Sequence, residues 1–351
     1  MAGLYVHIPF CRSKCAYCDF YSGPLRGFEP EAYADALMRE LRARRREVGE
    51  LQTVYIGGGT PSTMPPALLA PLLALAPGER TVEVNPDDIT PAYADALLHA
   101  GANRVSMGIQ SLDDAELRAV GRRHTAAAAV EAYRTLRAAG FANISLDLIY
   151  GLPGQTPDGW RSTLEATLDL GPDHLSAYLL SYEPGTRLDA MRRAGKVADV
   201  SDDAAEQMYA TLCELTRTAG MTHYEISNFA MPGREARHNA AYWDGTPYLG
   251  LGPGAHSFDG TLRRYNPSDF KAYMAAPERA ATVDEETPAN RFNDTVMTAL
   301  RTARGLDPAL LTTAELATAR RLLEPTPDGR LRITESAWLR SDPIIITLLR
   351  V

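Results

Sequence analysis

Cysteine is scarce in this chain, with four in 351 residues, far too few to hold a fold of this length together with disulfides. No apolar run approaches the length of a membrane span. A basic excess is missing as well: Asp and Glu number 44 against 36 Lys and Arg, for a formal net charge of -8. A nucleic-acid partner needs a basic face, so that class of function is excluded. The densest basic run, RELRARRRE from Arg39 to Glu47, carries Glu40 and Glu47 among its arginines and reads as a solvated helix face. No secretory signal pattern opens the chain, so a reduced compartment is expected. The chain is expected to be soluble and cytoplasmic, and a loose peripheral attachment to a membrane is compatible with that. Hydrophobic residues make up 45% of the sequence, enough for a large core in one big domain or a big domain with a small companion.

What cysteine there is falls mostly in one place. Cys11, Cys15 and Cys18 form CxxxCxxC within HIPFCRSKCAYCDFYS. Iron–sulfur cubanes are normally held by four thiolates, so three clustered ones leave an iron with an open position for chemistry. Tyr5, Pro9, Phe10, Tyr17 and Phe20 surround the loop, and apolar neighbours limit water access and tune the reduction potential. The structural alternative is a zinc site built from the same cysteines and His7. Zinc usually draws its ligands from two separated pairs, and no second pair exists here. The fourth cysteine, Cys213, lies in SDDAAEQMYATLCELTRTAG beside Met208, Tyr209, Leu212 and Leu215, and reads as a small buried hydrophobe.

Short β-rich runs recur along the chain: Leu4 to His7, Thr53 to Ile56, Thr81 to Val84, Arg104 to Gly108, Ile144 to Leu148, His174 to Tyr178, and His223 to Ile226. Between them lie stretches with helical apolar spacing, several closed by glycine, such as PAYADALLHAG to Gly101 and AAAAVEAYRTLRAAG to Gly140. Alternation of this kind gives parallel βαβ units and an α/β fold. About six repeats predict a partial (β/α)6 barrel, open and not closed at eight, with its site at the C-terminal ends of the strands. Polar and glycine residues fall at those ends: Gly57, Gly58, Gly59, Thr60 and Pro61, then Glu83 with Asn85 and Pro86, then Gln110 in SMGIQSL. Asp147 lies inside the apolar strand ISLDLIYGLP and needs a partner, because an unpaired buried carboxylate is costly.

The cysteine run, followed by GGGTP, resembles the radical S-adenosylmethionine (SAM) superfamily. The resemblance implies a 4Fe-4S cluster on Cys11, Cys15 and Cys18, whose fourth iron is chelated by the amino and carboxylate groups of SAM. It also implies SAM contacts from Gly58, Gly59, Thr60, Glu83, Gln110, Arg122 and Asp147, and from Tyr5 and Tyr17. It is much closer to one branch, which holds the oxygen-independent coproporphyrinogen III oxidases and a related haem chaperone, and it runs through most of the chain.

Two departures divide that branch. The oxidases carry CxxxCxxCxC, and the position of their last cysteine is Phe20 here, so that Cys18, Asp19 and Phe20 match the chaperone's CDF. RHNAAYWDG supplies His238, Asn239, Tyr242 and Trp243 as an HNxxYW motif that resembles the chaperone's haem-linked segment. An imidazole can ligate haem iron and aromatic rings can stack on a porphyrin, although a histidine beside two aromatics is more often a hydrogen-bonded cluster. His256 in GLGPGAHSF faces either the site or a turn. The expected layout is a radical SAM core over 1–228, a connecting segment with HNxxYW over 229–280, and a small, mainly helical, winged-helix-like domain over 281–351, read as a lid or docking domain over the barrel mouth.

The resemblance thus implies a haem chaperone that binds a cluster, SAM and haem and passes haem to acceptor haem proteins, with room for a cluster-dependent homodimer. The rival reading is an oxygen-independent coproporphyrinogen III oxidase. A more remote one is a radical SAM enzyme acting on another tetrapyrrole.

Overall fold

A computed structural model describes residues 1–279, 281–284 and 287–350. Six parallel strands run in sequence order: β1 (Ala2–Ile8), β2 (Leu51–Gly58), β3 (Arg80–Val84), β4 (Arg104–Gln110), β5 (Ile144–Tyr150) and β6 (His174–Leu179). Each contains one of the first six runs expected from sequence. The remaining strands extend the sheet at both sides. β7 (Thr222–Glu225) and β8 (Asn228–Ala230) add antiparallel to β6 in the order β6-β8-β7. β9 (Tyr248–Leu251) pairs parallel to β1, and β10 (His256–Phe258), β11 (Arg263–Tyr265) and β12 (Thr282–Asp284) follow it antiparallel. The stretch 229–280 thereby supplies β8 to β11 to the main sheet.

The crossovers are helical for readable reasons. Thr90, Thr125 and Thr156 each cap a helix by accepting a backbone N–H through the side chain, and two of those helices begin with proline. Gly140 ends its helix at φ 107°, a left-handed conformation that costs a glycine little.

Alternation along the strands sorts the side chains. Val54, Ile56, Val82, Val105, Met107, Leu146, Leu148 and Leu175 are buried in the main apolar core, against the helices. Their neighbours Tyr55, Glu83, Arg104, Ser106, Asp147 and Ser176 line a cavity on the other face. The sheet is therefore wrapped around a polar hollow, unlike closed eight-fold barrels whose centres are packed with branched apolar residues.

One buried polar cluster fastens the β9 side to the rest. Glu40, 0% exposed, accepts from Arg44 at 2.7 Å, Asn266 at 2.7 Å, the Tyr273 hydroxyl at 2.8 Å and the Gly252 N–H at 2.9 Å. The basic run expected as a solvated face thus sends two of its members, Glu40 and Arg44, into the interior, because each satisfies the other there.

The C-terminal stretch forms helices Pro288–Leu300, Thr313–Leu322 and Ser341–Ile346 and a small ribbon, Glu324–Pro325 with Leu331–Arg332. It builds a second apolar core that includes Val296, Leu300, Ile333 and Trp338 together with Tyr209 and Cys213. The last two belong to helix Asp202–Thr218, and the Tyr209 hydroxyl donates to the Glu335 carbonyl at 2.7 Å. The expectation of a lid over the barrel mouth is corrected: this apolar seam holds the tail against a flanking helix, and among the described residues none beyond Asn239 lines the cavity.

The buried Glu40 cluster makes a direct prediction. Glu40→Ala leaves the buried Arg44 guanidinium with Glu47 as its one carboxylate, strips the acceptor from Tyr273 and the Gly252 N–H, and destabilises the protein by about 3–5 kcal/mol. Chemical denaturation of the variant checks this; a loss within experimental error would mean that the cluster contributes nothing net.

Candidate cofactor site

The cysteine loop follows β1, so it lies at the C-terminal ends of the parallel strands. Its position depends on the glycine loop after β2. A Cβ on Gly59 would come within 2.8–2.9 Å of the Phe10 and Ile8 backbones, and one on Gly58 within 2.5 Å of the His7 ring. Glycine is required there for two chain segments to touch. The Gly59 N–H also donates to the Ile8 carbonyl at 2.8 Å. The glycine run therefore anchors the cysteine loop as well as exposing backbone to a ligand.

Cys11, Cys15 and Cys18 are half-buried, are not joined by disulfides, and line one cavity of about 500 Å³. A hydrogen-bonded path links two of them. The Thr60 hydroxyl donates to Cys11 Sγ at 3.3 Å and accepts from the Asn85 amide at 3.2 Å. Asn85 Oδ1 in turn accepts from Arg122 at 2.8 Å, and Arg122 Nη1 reaches Cys15 Sγ at 3.6 Å. Burial raises the Cys11 thiol and pushes Cys18 up to about 11, so these groups hold their protons until a metal displaces them.

This donor set fits a cluster: three free thiols converge on one hollow, with a guanidinium and a hydroxyl placed to stabilise sulfur charge. It does not suit zinc completed by His7. That imidazole is committed at both nitrogens, to the Tyr21 carbonyl at 2.8 Å and the Tyr5 hydroxyl at 3.0 Å, and does not line the cavity.

The same hollow gathers Tyr17, Gly58, Gly59, Thr60, Glu83, Gln110, Arg122 and Asp147. Glu83 accepts from the Tyr55 hydroxyl at 2.7 Å and from the Gly58 N–H at 3.1 Å. Desolvation, reinforced by the charge of Asp147, still raises it to about 7. Asp147 has the partners its setting demands, the hydroxyls of Ser106 at 3.0 and 3.1 Å and Ser145 at 3.2 Å. Gln110 has φ 65°, the only positive value at a non-glycine among the described residues, and it sits where the β4–β5 register slips. Strained backbone of this kind clusters at functional sites, where surrounding structure holds it.

Tyr5 stands apart from the cavity, bonded to His7 and stacked on Tyr55 with ring centroids 6.3 Å apart. Of the HNxxYW residues only Asn239 reaches the hollow. His238 is 1% exposed and spans the Thr53 hydroxyl and the Tyr242 hydroxyl, each at 2.8 Å. Burial pushes its pKa down to about 3. The expectation of His238 as a haem ligand does not fit this arrangement, because both ring nitrogens are already engaged; it plugs the sheet beside Gly3, where a Cβ would lie 2.9 Å from its ring. Tyr242 packs edge-on against Tyr248, and Trp243 is half-buried outside the cavity. His256 is exposed beside Tyr265, away from the hollow. Cys213 lies in the second core, next to His223 and Glu335.

Sequence reasoning noted Asn85 at a strand end without giving it a role, and passed over Tyr55, Arg104, Ser106 and Ser176. Their signal was the inward parity they share with Glu83, Gln110 and Asp147 on the same or adjacent strands. Three exposed apolar residues, Phe20, Tyr178 and Leu179, also line the mouth.

Comparison with known proteins agrees with this geometry. The sequence profile of the Radical SAM superfamily matches residues 5–167. The heme chaperone HemW of Mycobacterium tuberculosis is 36% identical over 99% of this chain and 94% of its own length. This chain belongs to the HemW family of radical SAM proteins. The heme chaperone HemW of Lactococcus lactis is 37% identical over 80% of the chain and 76% of its own length. The solved coproporphyrinogen III oxidase HemN of Escherichia coli superposes with a TM-score of 0.80, covering 99% of this chain and 89% of its own at 24% identity, a likeness of fold. Membership in the radical SAM superfamily carries with it a 4Fe-4S cluster and SAM, so the HemW-family hollow described above is the place in this chain with sulfur ligands for the one and polar walls for the other.

Two measurements test the site. Between pH 4.5 and about 7 the folded chain keeps a proton on Glu83 that the unfolded chain has lost, so stability falls as pH rises through that window. Glu83→Gln, neutral throughout, lacks this fall and is the more stable protein above pH 7; parallel pH–stability curves for the two proteins would show that Glu83 is not raised. Cys15→Ala abolishes the 4Fe-4S spectrum after anaerobic reconstitution, whereas Cys213→Ser leaves it intact. Equal iron in both variants would remove Cys15 from the ligand set.

Proposed function

We propose that this protein is a haem chaperone, binding haem and transferring it to acceptor haem proteins, with cluster and SAM held in the barrel. The observation that carries the reading is Phe20. It stands where the oxidases of this branch place a further cysteine, and it is 62% exposed on the cavity rim. Together with Tyr178 and Leu179 it gives the mouth an apolar collar, the kind of surface against which a flat macrocycle stacks. The relatives named as heme chaperones match over most or all of the chain.

In this proposal Cys11, Cys15 and Cys18 hold the cluster, and the path through Thr60, Asn85 and Arg122 stabilises thiolate charge. When bound, the cluster would supply an electron and an iron with an open position. Glu83 and Asp147 place carboxylates where a ligand ammonium would be neutralised, and Gln110, Gly58 and Gly59 present polar backbone and amide groups beside them. Tyr17 covers the loop, while Tyr5 acts at a distance by holding His7. Asn239 extends the HNxxYW segment to the hollow, and Tyr242 and Trp243 back that segment from outside the cavity. The division into 1–228, 229–280 and 281–351 is part of the proposal, with the last stretch serving as a docking element on the flank of the sheet.

Residence in the cytoplasm, loose membrane contact and cluster-dependent pairing of two chains belong to the same reading. No helix among the described residues is long and apolar enough to cross a membrane.

The deciding experiment is anaerobic. The cluster-reconstituted protein is titrated with haem, and the same preparation is assayed with SAM, a reductant and coproporphyrinogen III. Stoichiometric haem binding without protoporphyrinogen formation is the expected outcome. Turnover of coproporphyrinogen III would overturn the chaperone reading in favour of the oxidase.

A further inference from the structure

Where the tail meets the barrel, three ligand-bearing side chains from three separate elements come together. Cys213 comes from helix Asp202–Thr218, His223 from the outermost strand β7, and Glu335 from the turn Glu335–Arg340 of the tail. One sulfur, one imidazole nitrogen and one carboxylate oxygen all lie within 4.8 Å of one another. All three residues line a cavity of about 290 Å³ that shares no residue with the cofactor hollow.

Packing fixes the imidazole in place. The His223 side chain, 5% exposed, is stacked on Phe229 with ring centroids 4.0 Å apart and meets Trp338 edge-on at 4.4 Å. Its Nδ1 faces Glu335 Oε1 at 3.1 Å, while Nε2 is buried without a hydrogen bond, near the Ile226 backbone. Arg217 bonds the other carboxylate oxygen, Oε2, and an outer partner of this kind orients a metal-ligating carboxylate. The remaining charges on the cavity wall, Glu324 and Arg332, pair with each other at 2.8 Å and do not compete for an ion. A cysteine that only fills a core needs no imidazole beside it, and an ion pair that only fastens the tail needs no sulfur. Thiol, imidazole and carboxylate together in a roomy cavity are a mixed donor set suited to a borderline divalent cation. Zinc, with bonds of about 2.0–2.3 Å, holds its ligands about 3.5 Å apart, so side-chain shifts of about 1 Å close the trio around one ion.

We propose that Cys213, His223 and Glu335 form a binding site for a zinc-like divalent cation that clasps the tail to the barrel, with water in the remaining position. On binding, the Cys213 thiol releases its proton to solvent as the metal–sulfur bond forms. The neutral imidazole ligates through Nδ1 with its proton on Nε2, and the ion keeps its charge state. The site is separate from the cluster cysteines and does not rest on the chaperone reading.

The test uses the full-length, cluster-reconstituted protein, in which the cluster occupies the other thiols. It is equilibrated with Zn²⁺ and examined by metal analysis, melting temperature and zinc-edge X-ray absorption. The expected result is one zinc per chain with a single sulfur at about 2.3 Å among nitrogen and oxygen neighbours, and a higher melting temperature with zinc than without. Cys213→Ser and Glu335→Gln each weaken zinc binding at least about tenfold and lose the zinc-dependent rise in melting temperature, while their iron content stays that of the wild type. A zinc shell of three sulfurs, which would place the ion in the cysteine loop, overturns the proposal. So does zinc binding unaltered in both variants, or a wild type that retains no zinc. The absorption measurement needs only the wild type, so it decides the matter even where a variant fails to fold.

Discussion

The constraint on which the site depends is steric. Gly59 meets the backbones of Ile8 and Phe10 at a distance that leaves no space for a Cβ, and its N–H bonds the Ile8 carbonyl there. That contact fixes the start of the cysteine loop relative to the ends of β1 and β2. Three thiols then converge on one hollow because the loop that carries them is anchored at its root. The path from Cys11 through Thr60, Asn85 and Arg122 to Cys15 depends on the same anchor, since it joins residues from the cysteine loop, the loops after β2 and β3 and the segment after β4.

Alternation governs the rest. A parallel sheet covered by helices on one face must bury that face, and the valines, leucines and isoleucines of β2 to β6 do so. The opposite parity is then free to be polar, and the register sets Tyr55, Glu83, Ser106, Asp147 and Ser176 around one space. A sheet slipped by one residue would point every one of these into the apolar layer. Charge inside the hollow is matched pair by pair, with hydroxyls on Asp147 and a hydroxyl and an amide on Glu83. Arg104, at the end away from the sulfurs, has Nε and Nη1 without a hydrogen bond among the described residues and lies within range of the Glu83 charge.

Much of this was legible before any coordinates. The first six β runs all fall inside β1 to β6, and the helix stop at Gly140 is where glycine was expected to act. The cysteines, the glycine loop, Glu83, Gln110, Arg122 and Asp147 could be picked out because chemistry-bearing residues sat at strand ends or broke an apolar pattern. Asn85, Tyr55 and Arg104 were harder to see, because a single asparagine, tyrosine or arginine at a strand end has an ordinary surface explanation. Their roles come from what lies across from them on neighbouring strands.

The sequence by itself determined the parallel α/β organisation, the sulfur-rich loop and the branch-dividing Phe20, because each of these is written in local spacing or in a single position. Only the tertiary structure decided where HNxxYW goes and what the tail covers. His238 reads as a ligand while its neighbours are unknown; its imidazole lost that freedom when Thr53, from a strand 185 positions earlier, and Tyr242 took both nitrogens. The tail reads as a lid until the apolar seam through Tyr209, Cys213 and Trp338 is seen to hold it to the flank of the sheet. Contacts between residues distant in sequence have no local signature, so they appear only once the chain has folded.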